Sequence, residues 1–136
     1  MTDLKYDQGK PLAAIPIKDF GRALEAVSEV GTFGAKKYAR SSWKGVENAS
    51  VRYEDALYRH AYKSSYEEHD EESGLLHLAH LAWNALAILQ LQIEKEESDY
   101  QKSLEPTIAL KGLYKEYIDN KNSGKIVDKT QPELDF

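Results

Sequence analysis

Three observations predict an all-α fold, a compact bundle of about four helices. Apolar residues recur at three- and four-residue spacing in four separate segments. No segment alternates as a half-buried strand does, and no internal repeat is present. One segment, Ser73 to Ile93, is apolar almost all the way round, with Leu75, Leu78, Leu81, Ala82, Leu86, Leu89 and Ile93 spread over its circumference. A helix of that kind belongs at the centre of a bundle, not at its surface.

The elements follow in chain order. Residues 1 to 16 form a polar, basic lead containing KYDQGKP, a Gly-Pro turn signal, and end at Pro16. A first helix is expected from Ile17 or Lys18 to Tyr38, with Phe20, Ala23, Leu24, Val27 and Val30 on one face. Glu25 and Glu29 lie opposite, as a solvated flank or as part of a metal site. Residues 39 to 49, with Trp43 and Gly45, read as a loop.

A second helix is expected from about Ser50 to Tyr66. Its inner stripe is Tyr53, Ala56, Leu57, His60 and Ser64, continued by Glu67, and Arg59 sits on a neighbouring stripe one turn from Asp55. The acidic run Glu67, Glu68, Asp70, Glu71, Glu72 then precedes Ser73, a good N-cap for the central helix, where the acids suit the positive end of the dipole. The stretch EKEESDYQKS is either a continuing exposed helix or a linker. Ser103 and Pro106 then cap a last helix with Leu110, Leu113, Tyr114, Tyr117 and Ile118 on one face. The expected division is a helical domain over 1–93, a helical extension over 94–120 and a flexible tail over 121–136.

The chain has 136 residues, a net charge of −5 and no cysteine, enough for one domain with a core and nothing to suggest a disulfide framework. The negative balance argues against a broad nucleic-acid surface, although a small anion needs only a local cluster of bases. No segment is apolar enough to span a bilayer and the N-terminus has no signal core, so cytoplasm is the expected location.

Chemistry concentrates on the central helix. At about 100° per residue, His77, His80 and Asn84 fall within a wedge of roughly 60°. Three aligned polar groups inside an apolar helix need partners. They are either satisfied core residues or a site, and His60 on the inner stripe of the second helix should face them. The histidines have the spacing of metal ligands, with Glu67 and Asp70 the carboxylates nearest in sequence.

In that order, KYDQGKP, FGAKKYARSSW, RH and DEESGLLHLAHLAWNAL resemble the phage-encoded family named as the N-terminal domain of dATP/dGTP diphosphohydrolases, over about residues 4 to 93. The resemblance implies an all-α protein of phage or bacterial nucleotide metabolism, more loosely similar to the MazG-like pyrophosphohydrolases. Those enzymes hold divalent metals with acidic clusters on two helices. Here the paired ExxE and ExxD motifs are absent, and HLAH occupies the helix where the second would fall.

On that resemblance, the expected activity is metal-dependent hydrolysis of a purine deoxynucleoside triphosphate such as dATP or dGTP to the monophosphate and pyrophosphate. Glu67 and Asp70 would be catalytic. His60, His77 and His80 would hold a divalent metal, Mg²⁺ or Mn²⁺. Lys5, Asp7, Lys10, Lys36, Tyr38, Trp43, Arg59 and Asn84 would bind substrate, the cations on phosphates and an aromatic ring on the base. Lys37 and Ser73 also match the family blocks. Two other readings stand beside it. One is a protein that binds a nucleotide or nucleotide signal without hydrolysing it. The other is an HD-type phosphohydrolase built on His60, His69 and Asp70. The apolar faces of the central and last helices suggest a homo-oligomer with the site near the interface. The tail QPELDF resembles short motifs that dock on bacterial sliding clamps.

Overall fold

The computed structural model describes residues 4–125. The helices are α1 (Ala14–Asp19), α2 (Gly21–Lys37), α3 (Ala49–Lys63) and α4 (His77–Asn122), with a short 3-10 turn at Ser42–Gly45. Among the described residues there is no strand, only an isolated antiparallel bridge between His69 and Leu76. The all-α expectation holds. No helix among them is long and apolar enough to cross a membrane. The chain divides into two units, 1–92 and 93–136.

In the first unit, the single helix expected from residue 17 or 18 to Tyr38 is two. Phe20 leaves the helical region (φ −114°, ψ 21°) between α1 and α2, beside Gly21, a poor helix former. Pro16 does not end the lead but sits in the first turn of α1, where its missing N–H costs nothing. Lys36 and Lys37 close α2 at the negative end of its dipole. α3 stops three residues short of the expected Tyr66. Ser64 and Ser65 bond back to the carbonyls of Ala61 and Tyr62, which competes with helix propagation.

Ser73 is not the N-cap of the central helix, which starts at His77. Gly74 takes φ +71°, a left-handed conformation that breaks the helical path. Ser73 instead belongs to a turn in which Asp70 N–H donates to Leu75 O and Gly74 N–H to Asp70 O. Large side chains bridge α3 and α4 in antiparallel register: Tyr53 meets Trp83, and His60 meets His77 and His80. The wedge is buried as expected, with His77, His80 and Asn84 beside the apolar Val30, Ala79 and Ala87. The opposite face of α4 is not covered: Leu78 is 63% exposed, and Leu86 and Leu89 are about as open. The two flanking helices reach only one side of α4.

In the second unit, the expected cap at Ser103 and Pro106 does not form. α4 runs unbroken through EKEESDYQKS and past Pro106 to Asn122. Ser103 Oγ bonds back to Tyr100 O, and Lys95 pairs with Asp99 one turn on. A single proline removes one hydrogen bond, which a long run of good helix formers can outweigh. The tail motif QPELDF lies outside the described residues.

Candidate functional site

The acidic turn between α3 and α4 and the facing stripes of those helices build one polar cluster. His60 Nδ1 lies 2.8 Å from His77 Nδ1, and His77 Nε2 lies 2.8 Å from Glu67 Oε1. A carboxylate only accepts, so His77 donates from Nε2 and keeps its Nδ1 lone pair. His60 Nδ1–H donating to that lone pair satisfies the two rings without a cation. A cation would take both lone pairs instead.

The second half of the cluster centres on Ser73. Its hydroxyl and its backbone N–H both donate to Asp70 Oδ2, at 2.7 and 2.9 Å. With its proton spent there, Ser73 Oγ accepts from Leu75 N–H and from His80 Nε2–H, the latter at 2.7 Å. The His80 ring stacks on His60, centroids 4.4 Å apart and planes 8° from parallel. Asn84 donates to His80 O at 2.8 Å.

Electrostatics follow burial. Removal from water, reinforced by the charge of His80, pushes the His60 imidazole down to about 4. Burial also lowers His80, partly opposed by Asp70. Burial works to raise the Asp70 carboxyl, but the two Ser73 hydrogen bonds and the neighbouring histidines hold it below the ordinary Asp value. At neutral pH His60 and His80 are therefore neutral imidazoles and Asp70 an ionised carboxylate, the states in which such groups ligate metals.

One ligand atom each from His60, Asp70 and His77 lies within 4.8 Å of the others. His80, expected as a third histidine ligand, is outside this group and turned to Ser73, while Asp70, expected as catalytic, is inside it. Two nitrogens and one oxygen make a set that divalent ions of the Mn²⁺ to Zn²⁺ series accept, whereas Mg²⁺ prefers oxygen alone. His69, the other half of the His-Asp pair, is exposed and held in the bridge to Leu76.

His60, Asp70 and His80 open onto a cavity of about 870 Å³ within the first unit. Of the other expected residues, Tyr38, Trp43, Arg59 and Asn84 line it. His77 is fully buried and Glu67 contacts it, neither of them part of the wall. Lys5, Asp7, Lys10 and Lys36 are exposed and outside the wall, so the expected phosphate-facing role of Lys5 and Lys10 has no counterpart there. Lys37 lines it instead, paired with Glu72. The α2 C-terminus sets this choice, since adjacent residues differ by about 100° in direction.

Three further wall residues escaped sequence reasoning: Arg52, Tyr53 as a site residue, and Trp83. Trp43, Tyr53 and Trp83 form an edge-to-face triangle with centroids 5.7 to 6.1 Å apart, and Tyr53 Oη donates to Trp43 O. Trp83 sits against Gly31 of α2, where a Cβ would come within 3.2 Å of its Nε1. Its position next to Asn84 was the available signal.

Fold and site define an all-α protein with a histidine and carboxylate cluster in the wall of a cation- and aromatic-lined cavity. The family model described as dATP/dGTP diphosphohydrolase, N-terminal, matches residues 1–101, which include every residue of that wall. The chain belongs to this family. It is also 38% identical over 101 residues to a protein of Salmonella phage PMBT28 named dATP/dGTP diphosphohydrolase. The match covers 73% of this chain and 33% of the relative, so the chain spans about a third of that protein's length. No solved structure matches it.

Proposed function

We propose that the cavity binds a purine deoxynucleoside triphosphate and that the chain hydrolyses it to the deoxynucleoside monophosphate and pyrophosphate. The observation that carries this reading is that His60 and Asp70, in the wall of a cavity that also presents Lys37 and Arg59, converge with the buried His77 behind them. Family membership and the phage relative's name support the substrate class.

His60, Asp70 and His77 would hold a divalent cation, which when bound supplies charge for the phosphate oxygens and acidifies water. Glu67 accepts from His77 Nε2–H and so keeps the Nδ1 lone pair available. Ser73 occupies Oδ2 of Asp70 and leaves its Oδ1 for the site. Arg59 grips phosphate as a fork and Lys37 as a compact charge, exchanging Glu72 for substrate. Attack of water at the α-phosphorus forms one P–O bond and breaks the bridge to the β-phosphorus, releasing pyrophosphate and a proton.

The exposed stripe of Leu78, Leu86 and Leu89 supports a homo-oligomer that covers it. A substrate of this class would be met in the cytoplasm of the host cell. The test is a panel of deoxynucleoside triphosphates with Mg²⁺, Mn²⁺ or Co²⁺, products resolved by chromatography. Monophosphate and pyrophosphate from dATP or dGTP are expected. Binding without products would favour the non-hydrolysing reading, for which the presence of one carboxylate in the metal cluster speaks.

A further inference from the structure

Taking the cavity as a nucleotide site, as above, we propose that its aromatic end is the nucleobase subsite, where Asn84 Oδ1 accepts an N–H from the base edge and Trp43 and Trp83 wall the ring. Two independent features converge there.

The first is length. Tyr53 and His60 are seven residues apart on α3, and Asn84 is seven residues from His77 on α4. At 1.5 Å per residue each helix separates the aromatic end from the histidine end by about 10 Å. This is the reach of a nucleotide from its base to its phosphates. The contacts of Tyr53 with Trp83 and of His60 with His77 show that both helices measure the same axis. Phosphates at Lys37, Arg59 and the cluster therefore leave the base at the two tryptophans.

The second is an acceptor with no partner. Asn84 is 6% exposed, and its amide N–H donates to His80 O, which fixes which end of the amide is nitrogen. No described side chain donates to its Oδ1. No fully buried side-chain oxygen lacks a partner among the described residues, so this carbonyl opens into the cavity Asn84 lines. A nearly buried acceptor facing a ligand selects a donor, because a ligand without one leaves it desolvated. The donor chemistry on a nucleotide is a base amino or imino N–H or a sugar hydroxyl, and the position level with Trp83 favours the base. Gly31 gives the end its width: a Cβ there would press on Trp83 Nε1 at 3.2 Å.

The sequence contains two tryptophans, Trp43 and Trp83, so fluorescence excited beyond the absorption of its tyrosines reports on this end alone. The protein is titrated with dATP, with its analogue lacking the 6-amino group, and with the 2′,3′-dideoxy nucleotide, EDTA being present to suppress turnover. Wild type is expected to quench with dATP and to bind the amine-free analogue about three- to tenfold more weakly. Asn84→Ala should erase that difference. Gly31→Ala, which improves helix propensity, should weaken every base while leaving Mn²⁺ binding, measured separately without EDTA, as in wild type. Equal binding of dATP and the amine-free analogue by wild type, or unchanged binding by Gly31→Ala, overturns the base assignment while the nucleotide reading stands. A loss confined to the dideoxy nucleotide and cancelled by Asn84→Ala assigns the acceptor to the sugar and equally overturns it. If no deoxynucleotide binds wild type or is turned over with any metal, both readings fall.

Discussion

Ser73→Ala removes one oxygen atom that makes three contacts. The hydroxyl donates to Asp70 Oδ2 at 2.7 Å and accepts from His80 Nε2 at 2.7 Å and from Leu75 N at 3.2 Å. The His80 side chain is 11% exposed and Asp70 Oδ2 lies 3.8 Å from its Nε2, too far for a hydrogen bond, so that N–H loses its protein partner, and an unsatisfied buried donor costs about 1 to 3 kcal/mol. The bond to Asp70 is charge-assisted, but that carboxylate is 16% exposed and keeps the Ser73 backbone N–H, so its loss adds about 1 kcal/mol. The expected total is about 2 to 4 kcal/mol. Urea unfolding should report it as a lowered midpoint at unchanged slope. Ser73→Thr, which keeps the hydroxyl, should restore most of the loss. A loss below about 0.5 kcal/mol for Ser73→Ala would show that the hydroxyl does not organise the cluster.

Further expectations rest on other groups. Glu67→Ala frees the His77 ring to change tautomer, and Mn²⁺ affinity by calorimetry should fall about 10- to 100-fold with little change in helix content. In EDTA, the protein should lose stability as pH falls from 6.5 towards 4, because the unfolded chain protonates His60 at its ordinary value and the folded one near 4. Melting followed by circular dichroism should show about 1 to 2 kcal/mol of this dependence, less than the full shift because the ring is partly exposed, and His60→Asn should flatten the curve. Light scattering at micromolar concentration should give a mass above 15.4 kDa, with Leu86→Glu reducing it; a wild-type monomer would contradict coverage of that stripe.

The sequence by itself determined the helical class and the polar wedge, because both depend on periodicity: residues three and four apart share a helix face whatever that face meets. His60, His77, His80 and Asn84 could therefore be grouped before any contact was known. Element boundaries were less legible, since they turn on local competition. Ser64 and Ser65 end α3 by bonding backwards, Gly74 diverts the chain after Ser73, and Pro106 is outvoted by its helix. Only the tertiary structure decided which residues form the cavity. His80 is drawn to Ser73, leaving Asp70 to join His60 and His77. Lys37 faces the wall where Lys36 does not, and Trp83 reaches it across the bare backbone of Gly31. Rotamer, partner and the space between helices choose among side chains that share a face, and none of these is written in spacing.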